Sequence, residues 1–269
     1  MVEAERKVEL QYLETGTIVA NKRVGPETWC MTVEAPKITA AAQPGQFVMV
    51  AVTQGSTDPL LRRPLSIHEV DKARLGLLYR VVGKGTTLMA AMRENQPISL
   101  LGPLGKGFQV RSSPHHCLVG GGLGVAPLLY LGQQIRLQRP EEKISILLGA
   151  RSRSELLLLE QYKAVAPVLL ATDDGSAGQH GFVTELLARE ISGKATIYTC
   201  GPTPMMQGVA ALARQRNWPC QVSLEAVMAC GMGACLGCTV ERAGFVDNDR
   251  KYVHVCKDGP VFEAGDIWL

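Results

Sequence analysis

The run His116-Cys117-Leu118-Val119-Gly120-Gly121-Gly122-Leu123-Gly124-Val125-Ala126-Pro127 reads as a short buried strand, a glycine turn and the start of a helix. Glycines let a backbone approach a pyrophosphate closely, and a helix N-terminus favours an anion. Pro127 suits a first helical turn. Gly120, Gly121, Gly122 and Gly124 are therefore candidate cofactor-binding residues. The G-x-G-x-x-G pattern is incomplete, which disfavours a conventional Rossmann dehydrogenase. A tight strand–helix turn also needs glycine, so the flanking sequence has to decide.

Downstream the chain alternates. A helix over Pro127–Gln138 precedes an apolar strand, Ile144–Leu148. A helix over Ser154–Ala166, with Ser154 as N-cap, leads to Val168–Thr172. Helices near Val183–Glu190 and Pro204–Arg216 flank Thr196–Thr199, and Gln221–Leu224 adds a last strand. Such alternation predicts a doubly wound parallel sheet, here assigned to residues 112–219. Its ligand crevice lies at the carboxyl ends of the strands. Cys200-Gly201-Pro202 falls at one such end. Gly201 and Pro202 then line the crevice. Cys200 reads equally as a catalytic residue beside a nicotinamide or as a buried cysteine before a turn. Asp173 and Asp174 either meet the cofactor or form a solvated turn. Arg151 and Arg153 either select a 2′-phosphate or are surface charges.

Upstream, residues 1–111 are β-rich. Thr28–Val33, Gly45–Val52, Leu60–Val70, Leu75–Val82 and Ile98–Leu101 are short apolar segments separated by Gly, Pro and Asp. They predict a small antiparallel barrel with one helix, Thr86–Arg93, entered through Gly85. Within it Arg62-Arg63-Pro64-Leu65-Ser66 places arginine on an apolar strand, where a fixed anion such as a diphosphate is a natural partner. The Ser66 hydroxyl can serve a flavin ring nitrogen. Leu78-Tyr79-Arg80 followed by Gly83-Lys84-Gly85-Thr86 is a second anion-site candidate. Read alone, Arg63 and Arg80 are equally well surface charges.

Residues 220–269 form a cysteine- and glycine-rich segment too short for much core of its own; a metal centre would stabilise it. Its spacing is Cys230-x4-Cys235-x2-Cys238, then 17 residues, then Cys256. Four thiolates in this spacing fit a plant-ferredoxin-type [2Fe-2S] cluster. Gly231, Gly233 and Gly237 suit a loop that turns N–H groups onto sulfur. Structural zinc usually takes two separated pairs, unlike this three-plus-one arrangement. Cys30, Cys117 and Cys220 read as small buried residues.

Composition sets outer limits. The 269 residues are 46% hydrophobic and 20% charged, with a net charge of only +3. No nucleic-acid footprint and no membrane span is expected. Met1–Leu10 lacks an apolar core, so no secretory signal is expected and a cytoplasmic location follows. In that reducing setting eight cysteines argue for metal or redox chemistry over disulfides.

Taken in order, Arg63-Pro64-Leu65-Ser66, Gly85-Thr86, the Gly120–Gly124 turn and Cys200-Gly201-Pro202 resemble the ferredoxin–NADP reductase superfamily. Ser223-Leu224-Glu225, Met228–Cys238 and Cys256-Lys257-Asp258-Gly259-Pro260-Val261-Phe262 narrow the resemblance to electron-transfer subunits of two-subunit, NAD-dependent dihydroorotate dehydrogenases. The resemblance implies FAD on the barrel, NAD(H) on the α/β domain and a [2Fe-2S] cluster at the C-terminal end. It further implies an FMN-containing catalytic partner subunit, in a heterotetramer of two of each, working in pyrimidine (UMP) biosynthesis. Electrons would pass from the partner through the cluster and FAD to NAD⁺, with the Cys230–Cys238 loop near the partner. Leu65 stands where many superfamily members carry an aromatic residue over the flavin. Rival readings are a subunit of another NAD(P)H:ferredoxin or sulfide/polysulfide oxidoreductase, and a non-enzymatic, zinc-stabilised binding module.

Overall fold

A computed structural model describes residues 10–53, 58–245 and 251–269. Six antiparallel strands close a barrel: β1 (Tyr12–Gly25), β2 (Thr28–Glu34), β3 (Phe47–Ala51), β4 (Arg63–Asp71), β5 (Arg74–Arg80) and β6 (Pro97–Leu104). Their order is β1-β2-β5-β4-β3-β6. Val48, Val50, Ile67, Leu75, Leu77, Tyr79 and Leu100 fill the interior. Two short helices belong to this unit, α1 (Pro36–Ala41) and α2 (Lys84–Ala91). No apolar segment marks strand β1 in the sequence, because Glu14, Thr15, Gly16 and Thr17 separate its apolar residues. Its buried Glu14 does structural work instead: the carboxylate accepts the N–H groups of Lys37 (3.1 Å) and Ile38 (2.9 Å) at the start of α1. Helix α2 begins before Gly85. Gly83 precedes its first residue, and the Thr86 hydroxyl accepts the N–H groups of Val82 (2.9 Å) and Gly83 (3.3 Å).

The second unit is built from β7 (His115–Gly121), α3 (Ala126–Gln138), β8 (Lys143–Ala150), α4 (Leu159–Val165), β9 (Val168–Thr172), β10 (Gln179–His180), α5 (Val183–Glu190), β11 (Thr196–Cys200), α6 (Thr203–Gln215) and β12 (Cys220–Ser223). Parallel pairing joins β10-β9-β8-β7-β11-β12, as the alternating pattern predicted. Helices α3 and α4 contribute to the core on one face, α5 and α6 to that on the other.

The expected helix over 154–166 is broken. Arg153–Glu155 is a single 3₁₀ turn, Leu158 takes φ +56°, and α4 covers only Leu159–Val165. Ser154 is no N-cap; its hydroxyl meets that of Ser152 at 2.9 Å. On either side of the break Leu157 and Leu158 both enter the core shared with α3.

The chain beyond residue 219 shares this sheet. After the hairpin β13 (Thr239–Glu241) and β14 (Tyr252–His254), strand β15 (Val261–Glu263) pairs antiparallel with β12 at the sheet edge. The cysteine-rich segment also packs Met228, Cys238, Val255 and Cys256 onto Phe47, Met49 and Leu104, on the outside of the barrel. Helix α3 ties the other side. Tyr130 joins the barrel core and its hydroxyl donates to the Ala42 carbonyl at 3.1 Å, while Gln133 donates to Glu69 at 3.1 Å.

The glycine turn after β7 is held against the end of β11. A Cβ on Gly124 would overlap the Cys200 carbonyl and the Gly201 amide. Gly122 has open space but φ +56°. Gly124→Ala is therefore expected to cost about 1–3 kcal/mol through forced backbone displacement. Gly122→Ala should cost ~1–2 kcal/mol, the left-handed penalty alone. Urea unfolding of the two variants checks that the first loses at least as much as the second.

Candidate functional site

A cleft of ≈ 740 Å³ opens at the carboxyl ends of the parallel strands. It brings together Gly121, Gly122, Gly124, Gly201 and Pro202 from two turns, with Arg80 from the barrel and Glu225 beyond β12. The glycine turn points to the cleft because β7 ends there; a 3₁₀ turn over Gly122–Val125 then leads into α3, with the Ala126 N–H donated to the Leu123 carbonyl. Gly120 lies one residue deeper. Its Cβ position is against Val125 and Leu128, so it serves the packing of the turn rather than the cleft wall.

Cys200 is 2% exposed and does not line the cleft. Burial pushes its thiol well above the ordinary range, and Glu225 adds to the effect. Of the two readings open for Cys200, the buried cysteine before a turn describes its side chain. Glu225 went unremarked as a site residue in the sequence. It lines the cleft, and burial raises its carboxyl pKa. Its sequence signals are its place in Ser223-Leu224-Glu225 and its position two residues past the end of a strand whose end faces a crevice.

On the barrel, register decides which side chains are available. Ser66 pairs with Phe47 and Pro64 with Met49, and paired residues share a face. Phe47 and Met49 lie on the outer face, so Pro64 and Ser66 do too. Leu65 pairs with Val48 and packs against the barrel interior. It offers no ring-stacking surface. Tyr79 is also turned inward: it is 1% exposed and its hydroxyl donates to Asn21 Oδ1 at 2.9 Å. Only its backbone remains for a ligand. Leu78 faces the opposite way, into the core it shares with the α/β unit, and Arg80 reaches the cleft.

Arg63 lies at the barrel mouth. Its guanidinium covers Gly85, where a Cβ would overlap it, and it donates to the Leu61 carbonyl. The Thr86 hydroxyl is committed to its own turn. Two buried nitrogens near this face lack partners: Arg80 Nε and His68 Nδ1. A buried donor without a partner is costly, so an acceptor from a bound group fits at Arg80 Nε. His68, two residues past Ser66, holds Cys30 Sγ at 3.3 Å through Nε2. Burial lowers its pKa to about 4, leaving it neutral at pH 7.

The four cysteines of the C-terminal segment form the third group. Gly231 and Gly233 take φ +74° and +82°, and Leu236 φ +59°, so the loop curls back on itself. Gly237 takes no such conformation. The curl turns backbone N–H groups onto sulfur. Cys230 Sγ accepts from Met232 (3.5 Å), Ala234 (3.3 Å) and Cys235 (3.4 Å). Cys256 Sγ accepts from Gly233 at 3.1 Å, and Cys238 Sγ from Cys256 at 3.4 Å. Burial pushes the Cys230 thiol up, but these donors outweigh it and bring it down to about 6. Cys256 is pushed up to about 12 by burial and by Cys238 beside it. Among the described residues, no three His, Cys, Asp or Glu side chains are already closed around a metal position. The N–H donors nevertheless suit thiolates, the form in which cysteine binds iron. Cys235 is exposed while Cys238 and Cys256 are buried, so one side of the loop meets solvent.

The three groups adjoin. A Cβ on Gly231 would press on Met49, and Met49 pairs with Pro64 of the Arg63–Ser66 segment. Arg80 carries the same barrel face into the cleft.

Comparison with known proteins agrees with this arrangement. Residues 225–268 match the iron–sulfur cluster binding domain of dihydroorotate dehydrogenase B, and residues 118–211 match the oxidoreductase NAD-binding domain. The electron transfer subunit of dihydroorotate dehydrogenase B (NAD(+)) from Caldanaerobacter subterraneus is 37% identical, over 93% of this chain and 96% of its own. That from Desulforamulus reducens is 39% identical, over 93% and 96%. Among solved structures, a chain of an NADH-dependent reduced ferredoxin–NADP oxidoreductase superposes with TM-score 0.82 at 28% identity, covering 94% of this chain and 90% of that one. A cytochrome P450 reductase from Amycolatopsis shares the fold, with TM-score 0.65 at 21% identity over 80% of this chain and 70% of its own. Sequence, fold and site thus converge, and the chain belongs to the family of electron transfer subunits of NAD⁺-dependent dihydroorotate dehydrogenase B.

Proposed function

We propose that this chain relays electrons from a catalytic dihydroorotate dehydrogenase subunit to NAD⁺ in pyrimidine (UMP) biosynthesis, each carrier occupying one of the three adjoining groups. The observation that carries this reading is the contact of the cysteine loop with the strand next to Arg63–Ser66, on a barrel face that continues into the cleft. Cys230, Cys235, Cys238 and Cys256 hold a [2Fe-2S] cluster. Arg63 and the N–H groups opening α2 at Gly85 bind the FAD diphosphate, while Pro64, Ser66 and the Leu78–Arg80 strand meet the flavin itself. Gly121, Gly122 and Gly124 take the NAD pyrophosphate, and Gly201, Pro202 and Glu225 close the nicotinamide end above Cys200. Bound there, the flavin joins the one-electron chemistry of the cluster to the two-electron chemistry of the nicotinamide.

The protein's own residues bind, orient and exclude water. Ser66 holds its hydroxyl on the barrel face, and Arg80 supplies a buried donor. Glu225 stands at the nicotinamide end with its carboxyl pKa raised by burial. Among the described residues no side-chain constellation suggests a dihydroorotate site, which leaves that oxidation to the partner, an FMN-containing subunit. The complex is a heterotetramer of two subunits of each kind and works in the cytoplasm; among the described residues no helix is long and apolar enough to cross a membrane.

Purified protein should show flavin and iron–sulfur absorbance, with iron and acid-labile sulfide in equal amounts. Cys235→Ala should lose the iron–sulfur bands and retain flavin, because Cys235 is exposed and outside the packed core. A colourless protein holding zinc would overturn the reading. Without its partner, the chain should reduce an artificial acceptor from NADH but show no oxidation of dihydroorotate above background. Turnover of dihydroorotate by the isolated chain would contradict the assignment.

A further inference from the structure

The cleft has two chemically different ends. Arg80, Leu224 and Glu225 lie toward β12 and the barrel, whereas Arg151, Glu155, Asp173 and Phe182 lie toward β8, β9 and β10. From β9 to β12 there are four strand spacings, about 19 Å at ~4.8 Å each. The Gly121–Gly124 turn stands between them, after β7. A dinucleotide with its pyrophosphate on that turn and its nicotinamide toward the barrel must put its adenosine among the second group. Phe182 there is 64% exposed, an apolar ring free to stack on a base.

The charges at this end are built into the fold. Parallel pairing of Ala150 with Thr172 brings Arg151 and Asp173 to neighbouring strand ends. The Asp173 N–H donates to the Ala150 carbonyl at 3.0 Å, and that of Asp174 to Arg151 at 3.1 Å. The Arg153 N–H donates to Ser176 Oγ at 2.7 Å, and Asp174 Oδ1 holds the same serine. The loop is therefore stapled to the turn after β9. Glu155 ends the 3₁₀ turn produced by the break before α4, and reaches the cleft because that helix does not run on. Arg153 does not line the cleft. Neither Glu155 nor Asp173 has an ion-pair partner among the described residues.

Given a nicotinamide dinucleotide in this cleft, as the reading above holds, we infer that Glu155 and Asp173 are its specificity-determining residues, selecting an adenosine ribose with a free 2′-hydroxyl over a 2′-phosphate. A carboxylate accepts a hydrogen bond from a ribose hydroxyl. It repels a phosphate at the same place, since like charges brought together in an interface are penalised. Two free carboxylates against one arginine leave this end net negative. Of the two readings open for Arg151, selector of a 2′-phosphate or surface charge, the two carboxylates beside it disfavour the first.

The test is calorimetric titration of the holoprotein with ADP-ribose and with 2′-phospho-ADP-ribose, which needs no turnover. The unsubstituted protein should bind ADP-ribose more tightly by about tenfold or more, with the margin shrinking as salt screens the charges. In Glu155→Gln/Asp173→Asn the margin should fall to about threefold or less, mainly through tighter binding of the phosphorylated ligand. Retained ADP-ribose binding shows that the variant's cleft is formed. An unchanged ratio, or an equal loss for both ligands, would overturn the inference while leaving the dinucleotide site standing. Preference of the unsubstituted protein for the phosphorylated ligand overturns it too. If that protein binds neither ligand, the dinucleotide site itself fails and this inference with it.

Discussion

The architecture depends on where the cysteine-rich segment finds its core. Residues 226–269 cannot bury enough apolar surface alone. They borrow from two sides. Strand β15 extends the parallel sheet by pairing with β12, and Met228, Val255, Cys238 and Cys256 press onto Phe47, Met49 and Leu104 of the barrel. The Gly231–Met49 approach is the tightest expression of this, and glycine suits it both for space and for φ +74°. The packing that stabilises the segment also sets the cysteine loop next to the strand that presents Ser66. Stability and function share one contact.

The same economy appears at the seam between barrel and sheet. Helix α3 starts at the glycine turn, yet its Tyr130 completes the barrel core and its Gln133 reaches Glu69. Leu78, from a barrel strand, packs in the α/β core with Leu118, Val125 and Leu128. Each unit lends apolar side chains to the other. The cleft is bounded by residues from both, which fixes the distance between a flavin on the barrel and a nicotinamide on the sheet.

Much of this was legible because it rests on local chemistry. The Cys230–Cys256 spacing and its glycines report a loop that must curl, and the loop does curl, at Gly231 and Gly233. The alternation of strand and helix after Val119 reports a parallel sheet. What escaped rests on register and tertiary choice. Tyr79 and Leu78 are neighbours in a recognisable motif, but the two-residue period sends one to Asn21 inside the barrel and the other outward. Leu156–Leu159 has the leucines that favour helix, yet Leu158 takes a left-handed conformation between two short turns, with Leu157 and Leu158 both in the core. Strand β1 was faint because Glu14 occupies an inward position for the sake of α1.

That broken helix shows how one packing decision reaches the site. A regular helix from Ser154 would have carried residue 155 along its own axis. Instead the chain stops at Glu155, turns at Leu158 and restarts, leaving a carboxylate at the rim of the cleft. Leu157 and Leu158 enter the core on one side of the loop, and Glu155 stands at the cleft rim on the other. The departure from the helical pattern expected of 154–166 is therefore the step that gives the cleft its net negative end.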